Sequence, residues 1–321
     1  MKITNQEKNF CKKKNNNLIK LQIKKKETSF NSQEISKLYS EIKREIIKNY
    51  NNLKTKPFYQ IERNKIKFNV IFDPDRIEFW KKYETNKWEN EITKKIEKYV
   101  SKDIYFVDIG AWIGPISLFA KHYAKKVISF EPDPIAYIEL KQNIELNLKN
   151  ENDSNVILNE LAVVSDKTEK INLYSKKFGD SGSSIIIKNN LNQTQVNTIN
   201  FIDMISKYNL IEKKIFLKID IEGYEYELLK KYKDYLKRIN VTLFFSLHPI
   251  YIIEKKFGKN NNRILQIIFF CIIYFQVFYK LPFKYILINN KKLSLLKLVL
   301  KCFLYGIPQE IHVFCTNKLL K

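Results

Sequence analysis

The sequence predicts a doubly wound α/β fold, a mostly parallel sheet with helices on both faces. Three observations lead there. From Ile104 onward, short strand-like runs alternate with helix-periodic segments. Runs such as Tyr105-Phe-Val and Leu243-Phe-Phe are continuously apolar, as strands covered on both faces must be. Glycines and carboxylates gather just after several of these runs, at the strand ends where open α/β sheets place their ligands.

In chain order, residues 1–30 carry Lys12-Lys13-Lys14 and Lys24-Lys25-Lys26 around Asn15-Asn16-Asn17 and read as a basic arm. Asn31 and Glu34 form a capping-box-like start for a helix whose Ile35, Leu38, Ile42 and Ile46 share one side. The division expected is therefore a basic N-terminal arm and helix over 1–57 and one catalytic-type domain over 58–321. Phe58 to Phe72 reads as a hairpin turning near Arg63-Asn64, and Trp88 to Val100 as an amphipathic helix with Ile92, Ile96 and Tyr99 inward. Strands are expected at Ile104 to Asp108, Val127 to Glu131, Val156 to Val163, Ile215 to Ile219 and Val241 to Leu247. Helices are expected at Ile116 to Tyr123, Ile135 to Leu148 and Tyr224 to Tyr232. Ile264 to Tyr279 is apolar but shorter than the roughly 20 residues of a membrane span, which favours a buried helix of the sheet's outer layer. Leu293 to Tyr305 is a second apolar helix with a stripe of Ser294, Lys297 and Lys301, leaving contact with a membrane surface open. Tyr285 to Ile288 and Ile311 to Cys315 read as two closing strands.

With 45% hydrophobic and 14% aromatic residues among 321, wholesale disorder is excluded. The net charge of +23 would suit nucleic acid or an anionic membrane. The abundance of Lys, Asn, Ile, Tyr and Phe beside scarce Gly matches a bias toward AT-rich codons, which accounts for the charge without a partner. Cys11, Cys271, Cys302 and Cys315 form no CxxC pair, and the N-terminus lacks the apolar stretch of a secretory signal, so a cytoplasmic setting is expected.

Four segments carry chemistry. Asp108, Gly110 and Gly114 follow the first strand and open a helix, so backbone can approach a ligand and helix N–H groups face it; a tight turn with no ligand would use the same glycines. The dinucleotide pattern GxGxxG is absent, which argues against a nicotinamide oxidoreductase. Glu131 ends the second strand 23 positions after Asp108, where nucleotide sites hydrogen-bond ribose hydroxyls, and Asp133 before Pro134 reads as a helix cap. Asp220, Glu222 and Gly223 end a later strand, and His248 ends the next. Together these suit proton abstraction from a hydroxyl or ligation of a divalent metal, while caps and a turn before Pro249 would use the same residues.

The segments VDIGAWIG, FEPDP, Ala162-Val-Val-Ser-Asp166, Ser181-Gly-Ser-Ser184, LKIDIEGYE and SLHP, in this order, closely resemble the FkbM family of S-adenosylmethionine-dependent methyltransferases. The likeness spans roughly Phe72 to Pro249. It implies a Rossmann-like, class I methyltransferase sheet of seven strands with the last antiparallel. It also implies S-adenosylmethionine as cofactor, with Asp108, Gly110 and Gly114 lining its methionine end, Glu131 at the ribose and Ala162 by the adenine. Asp220, Glu222 and His248 then face the acceptor. Trp112 departs from the family, which usually has a small polar residue there.

The expected reaction is O-methylation of a hydroxyl on a sugar, glycan or small molecule, with Asp220 or His248 as base and the loop Phe178 to Ser184 closing over the acceptor. RNA methylation is the main rival; no Asn/Asp-Pro-Pro-Tyr/Phe tetrad or Pro-Cys nucleophile supports it, so nucleic acid is disfavoured as partner.

Overall fold

The computed structural model describes residues 58–148, 155–186, 191–258, 262–292 and 295–319. The basic arm and the helix expected around Ile35 to Ile46 lie outside the described residues. The chain forms two compact units, Met1–Trp88 and Glu89–Lys321.

In the first unit, β1 (Phe58–Arg63) and β2 (Ile66–Ile71) pair antiparallel. The turn falls at Asn64-Lys65, one residue later than expected, with both φ values positive, the twist that two-residue hairpins favour. Ile61, Phe68 and Val70 are buried, as are Trp80 and Tyr83 of α1 (Ile77–Glu84).

The second unit opens with α2 (Asn90–Tyr99), which buries Ile92 and Ile96. There follow β3 (Ile104–Ile109), α3 (Pro115–Tyr123), β4 (Lys126–Phe130), α4 (Pro134–Glu145) and β5 (Val156–Asn159). A side sheet is built from β6 (Ala162–Val164), β7 (Lys170–Ser175) and β8 (Asn192–Asn200), and α5 (Phe201–Lys207) returns the chain to the main sheet. Then come β9 (Lys214–Ile219), α6 (Glu225–Tyr232), β10 (Asn240–Leu247), α7 (Pro249–Phe257) and α8 (Arg263–Phe278). The chain closes with β11 (Tyr285–Ile288), β12 (Lys291–Lys292), α9 (Leu295–Tyr305) and β13 (Ile311–Thr316).

The main sheet has the order β12-β11-β13-β10-β9-β3-β4-β5. Strands β5, β4, β3, β9 and β10 run parallel, and β13 runs antiparallel to β10. This is the doubly wound topology, with the switch of direction between β3 and β9. Among the described residues it holds eight strands instead of seven. Asn289 and Asn290 both adopt left-handed φ, 46° and 62°, and fold Lys291-Lys292 back on β11 as an extra edge strand.

The single strand expected from Val156 to Val163 is two. Asn159 makes the last ladder contact, its carbonyl accepting from Glu131 N–H at 3.0 Å and its amide donating to Ser129 O. The chain then leaves, and Ala162 pairs with Thr198 in the side sheet.

Alternation along the strands sorts the two faces. Val107, Leu217, Leu243 and Val313 join the large core that includes residues of α5, α6 and α8. Phe106, Phe216, Phe244 and Phe314 point the other way, where Tyr99 of α2 packs on Phe314 with ring centroids 4.7 Å apart. Asp108 and Lys218 follow Phe106 and Phe216 at the second position along their strands and so share that second face.

Candidate functional site

The first turn is held from three sides. Gly110 and Ala111 N–H both donate to Phe130 O at 3.0 Å, tying the end of β3 to the tip of β4. Gly110 has φ +82°, and a Cβ there would lie 1.7 Å from the Asp220 carbonyl oxygen. Only glycine lets the β3 and β9 tips meet so closely. Gly114, at φ +92°, caps α3, and a Cβ there would meet Leu140 Cδ1 at 2.6 Å. Trp112 between them is left-handed at φ 49°, and its indole N–H donates to Gly179 O at 2.8 Å.

Asp108 is wholly buried. Its carboxylate takes Lys218 Nζ at 3.0 Å and Ser117 Oγ at 2.6 Å, and Ser117 bonds Ser129 in turn. Lys218 also donates to Gly110 O at 2.9 Å and lies 3.7 Å from Asp220 Oδ2. Burial alone would lower the Lys218 pKa, but Asp108, Asp220 and Glu89 outweigh it and hold the ammonium well above its ordinary value. Asp108 thus meets Lys218 and Ser117 rather than the surface of the crevice, and it reaches the turn through Lys218.

Glu131 stands at the tip of β4. Its Oε2 accepts from Trp112 N–H at 2.7 Å and its Oε1 from Asp133 N–H at 2.8 Å. Burial, with Asp133 nearby, raises it to about 8. In the ionised form each oxygen keeps a further lone pair for a hydroxyl donor. Asp133 caps α4, its Oδ1 accepting from Ile135 and Ala136 N–H. Its Oδ2 takes Gly179 N–H at 2.8 Å and Ser183 Oγ at 2.7 Å, and Ser184 Oγ donates to Glu222 O. The 178–184 loop therefore bridges the β4 and β9 tips. Ala162 stands in the side sheet, buried with Val164, Leu173 and Val196, and Phe178 of the loop packs on that cluster.

Across the switch point, Asp220, Glu222 and His248 converge. His248 Nε2 lies 3.8 Å from Asp220 Oδ1 and 3.9 Å from Glu222 Oε1. Its Nδ1 faces Glu225 Oε1 at 3.1 Å. Glu225 is fully buried and also accepts from Ile221 and Gly223 N–H, both at 2.8 Å, so it fixes the turn and the imidazole together. Burial opposes the charged imidazole, yet Glu225, Asp220 and Glu222 hold its pKa up at about 10. Glu222, left-handed at φ 54°, is raised to about 7 by burial, against the lowering effect of His248. A strained residue whose pKa sits near neutrality, in a crevice, is the pattern of a proton-handling group.

Sequence reasoning assigned no role to Lys218, Glu225 or Glu310. Lys218 carried a signal, being a cation inside the apolar run Phe216-Leu-Lys-Ile219. Glu310 comes from the loop before β13. Its Oε1 lies 3.6 Å from His248 Nε2 and 2.9 Å from His312 Nε2, and no local pattern announces it. Among the described residues two groups have cation-holding geometry, Asp220/Glu222/His248 and Glu89/Glu310/His312, each with one donor atom per residue lying within 4.8 Å of the others.

No curated protein matches the chain significantly. Among solved structures it is similar to methyltransferase FkbM from Methylobacillus flagellatus KT, at 19% identity and TM-score 0.31 over 46% of this chain and 33% of that one, so it spans a third of that protein's length. It is similar to an rRNA methylase from Streptococcus thermophilus, at 9% identity and TM-score 0.35 over 71% and 95% of the two chains. A putative SAM-dependent methyltransferase from Streptococcus mutans shows 10% identity and TM-score 0.38 over 80% and 54%. The family model for the methyltransferase FkbM domain matches residues 108–272, from the buried Asp108 into α8, which is half of the sequence, and the chain belongs to that family.

Proposed function

We propose that this methyltransferase uses S-adenosylmethionine to methylate a hydroxyl oxygen of a sugar, glycan or small molecule. The observation that carries the reading is the meeting of two unlike clusters at the switch point. The Asp220 carbonyl lies against Gly110, and Lys218 joins both turns. In this reading Glu131 receives the ribose hydroxyls, the Gly110 to Gly114 turn takes the methionine end, and Ala162 borders the adenine. The free lone pairs of Glu131 at a strand tip fit a nucleoside diol. When bound, S-adenosylmethionine supplies an electrophilic methyl group on a sulfonium.

The chain's own task is then alignment and proton removal. Holding two reactants in register contributes about 7–11 kcal/mol, and a positioned base adds typically about 10²- to 10⁴-fold. Glu222, at about 7, has the pKa suited to accept the hydroxyl proton near neutrality. His248, at about 10, stays an imidazolium that holds Asp220 and Glu222 together, while Glu225 sets its ring. In this reading Glu222 serves as the base, within the same Asp220, Glu222 and His248 group expected from sequence.

The test is calorimetric titration with S-adenosylmethionine, followed by transfer from methyl-labelled donor to a panel of sugars and to total RNA. Heat of binding and label in an ether-linked methyl are expected. No heat would sink the cofactor reading, and label appearing only in RNA would sink the acceptor reading.

A further inference from the structure

The outer face of α8 is apolar and uncovered in its own unit. Ile264, Leu265, Ile268, Ile272, Phe275 and Tyr279 are each about half exposed or more. At 3.6 residues per turn they share roughly 100° of arc. Ile267, Phe270, Tyr274 and Val277 fill the opposite, buried side. The stripe continues onto α9, where Leu300, Phe303 and Leu304 are also exposed, and Arg263 Nη2 joins the helices by donating to Phe303 O at 2.9 Å.

Charge identifies the occupant. From Arg263 to Tyr305 the sequence has seven basic residues and no acidic one. Lys297 and Lys301 are exposed on α9. At the far end of α8, Lys280 and Lys233 stand 5.2 and 5.8 Å from the Tyr279 ring. Beside the stripe, Lys230, Lys255 and Lys256 outnumber the single carboxylate of Glu227 around a groove of about 350 Å³ with Phe269 and Ile273 along it. Apolar side chains flanked by ammonium groups and an aromatic at the helix end are the arrangement of a helix lying in a lipid interface.

We propose that α8 and α9 form a docking face for an anionic phospholipid bilayer, with the helices lying along its surface. A second copy of the chain would set the same cations against one another, which opposes self-association. At about 24 Å, α8 is shorter than the bilayer's hydrocarbon core of roughly 30 Å, and among the described residues no helix is long and apolar enough to cross a membrane.

The test is flotation of the full chain with phosphatidylcholine vesicles, with and without phosphatidylglycerol, at low and high salt. Binding is expected only with phosphatidylglycerol and is weakened by salt. The triple variant Ile268→Ser/Ile272→Ser/Phe275→Ser should partition about tenfold less or worse, and Lys297→Glu/Lys301→Glu should lose affinity for anionic vesicles. The second variant changes only exposed side chains, so it reads the face even where the first perturbs the fold. The proposal is overturned if the wild type stays unbound, if both variants float like the wild type and so leave binding to the N-terminal lysines, or if the triple variant merely dissolves a dimer that never bound vesicles.

Discussion

The turns at β3 and β4 and the turns at β9 and β10 are built from the same residue types, yet they handle charge differently. At the first pair, the buried carboxylates of Asp108 and Asp133 are matched by fixed donors at 2.6–3.2 Å. At the second, Asp220 and Glu222 face His248 Nε2 at 3.8–3.9 Å and remain partly open to solvent. Saturated carboxylates hold a shape. Carboxylates beyond hydrogen-bond range of their cation retain capacity for an incoming hydroxyl and its proton.

Breaking the saturated side should show first in stability. Gly110→Ala places a methyl on the Asp220 carbonyl and strains φ, and should cost about 4 kcal/mol or more in urea unfolding. Lys218→Met leaves Asp108 buried without its cation and should cost about 3–5 kcal/mol, much of it recovered by adding Asp108→Leu. An unchanged midpoint in either would show that the tips are looser than their contacts. The open side should show in turnover instead. Glu222→Gln is expected to lower kcat about 10²- to 10⁴-fold with little change in S-adenosylmethionine affinity. Glu131→Ala should do the reverse, weakening cofactor binding roughly 10- to 100-fold in calorimetry.

Changes of pH probe the open side without any substitution. Glu222 must be ionised to take a proton, so the rate should climb as pH rises through about 7. His248 and His312 are held at about 10 and 9 against an ordinary 6.5. Raised histidines contribute stability that is complete below 6.5 and lost as pH rises through 9–10, so the unfolding midpoint should fall over that window. A midpoint flat from pH 7 to 10 would mean that the carboxylate cage around His248 is not closed.

The sequence made the scaffold legible wherever periodicity was strong. The parallel strands, the helices between them and the β13 pairing follow from apolar runs that only a twice-covered sheet accommodates. The side sheet was hidden because β8, Asn-Gln-Thr-Gln-Val-Asn-Thr-Ile-Asn, is polar on both faces and buries little beyond Val196 and Asn200. The outer face of α8 was misjudged as buried because composition reports how apolar a helix is, not which side has a neighbour. At the site, strand-end carboxylates were visible from position alone. The ammonium of Lys218, the buried Glu225 and the distant Glu310 are contacts of tertiary structure, which spacing in one chain does not encode.

Asp133 is at once the anchor of a helix and the clasp of a loop. Residues 178–184 therefore cannot be exchanged freely in a search for new acceptor preferences. A graft that omits a donor at Gly179 or Ser183 leaves a shielded anion half-satisfied, and the penalty falls on the start of α4, whose Asp133 N–H also steadies Glu131.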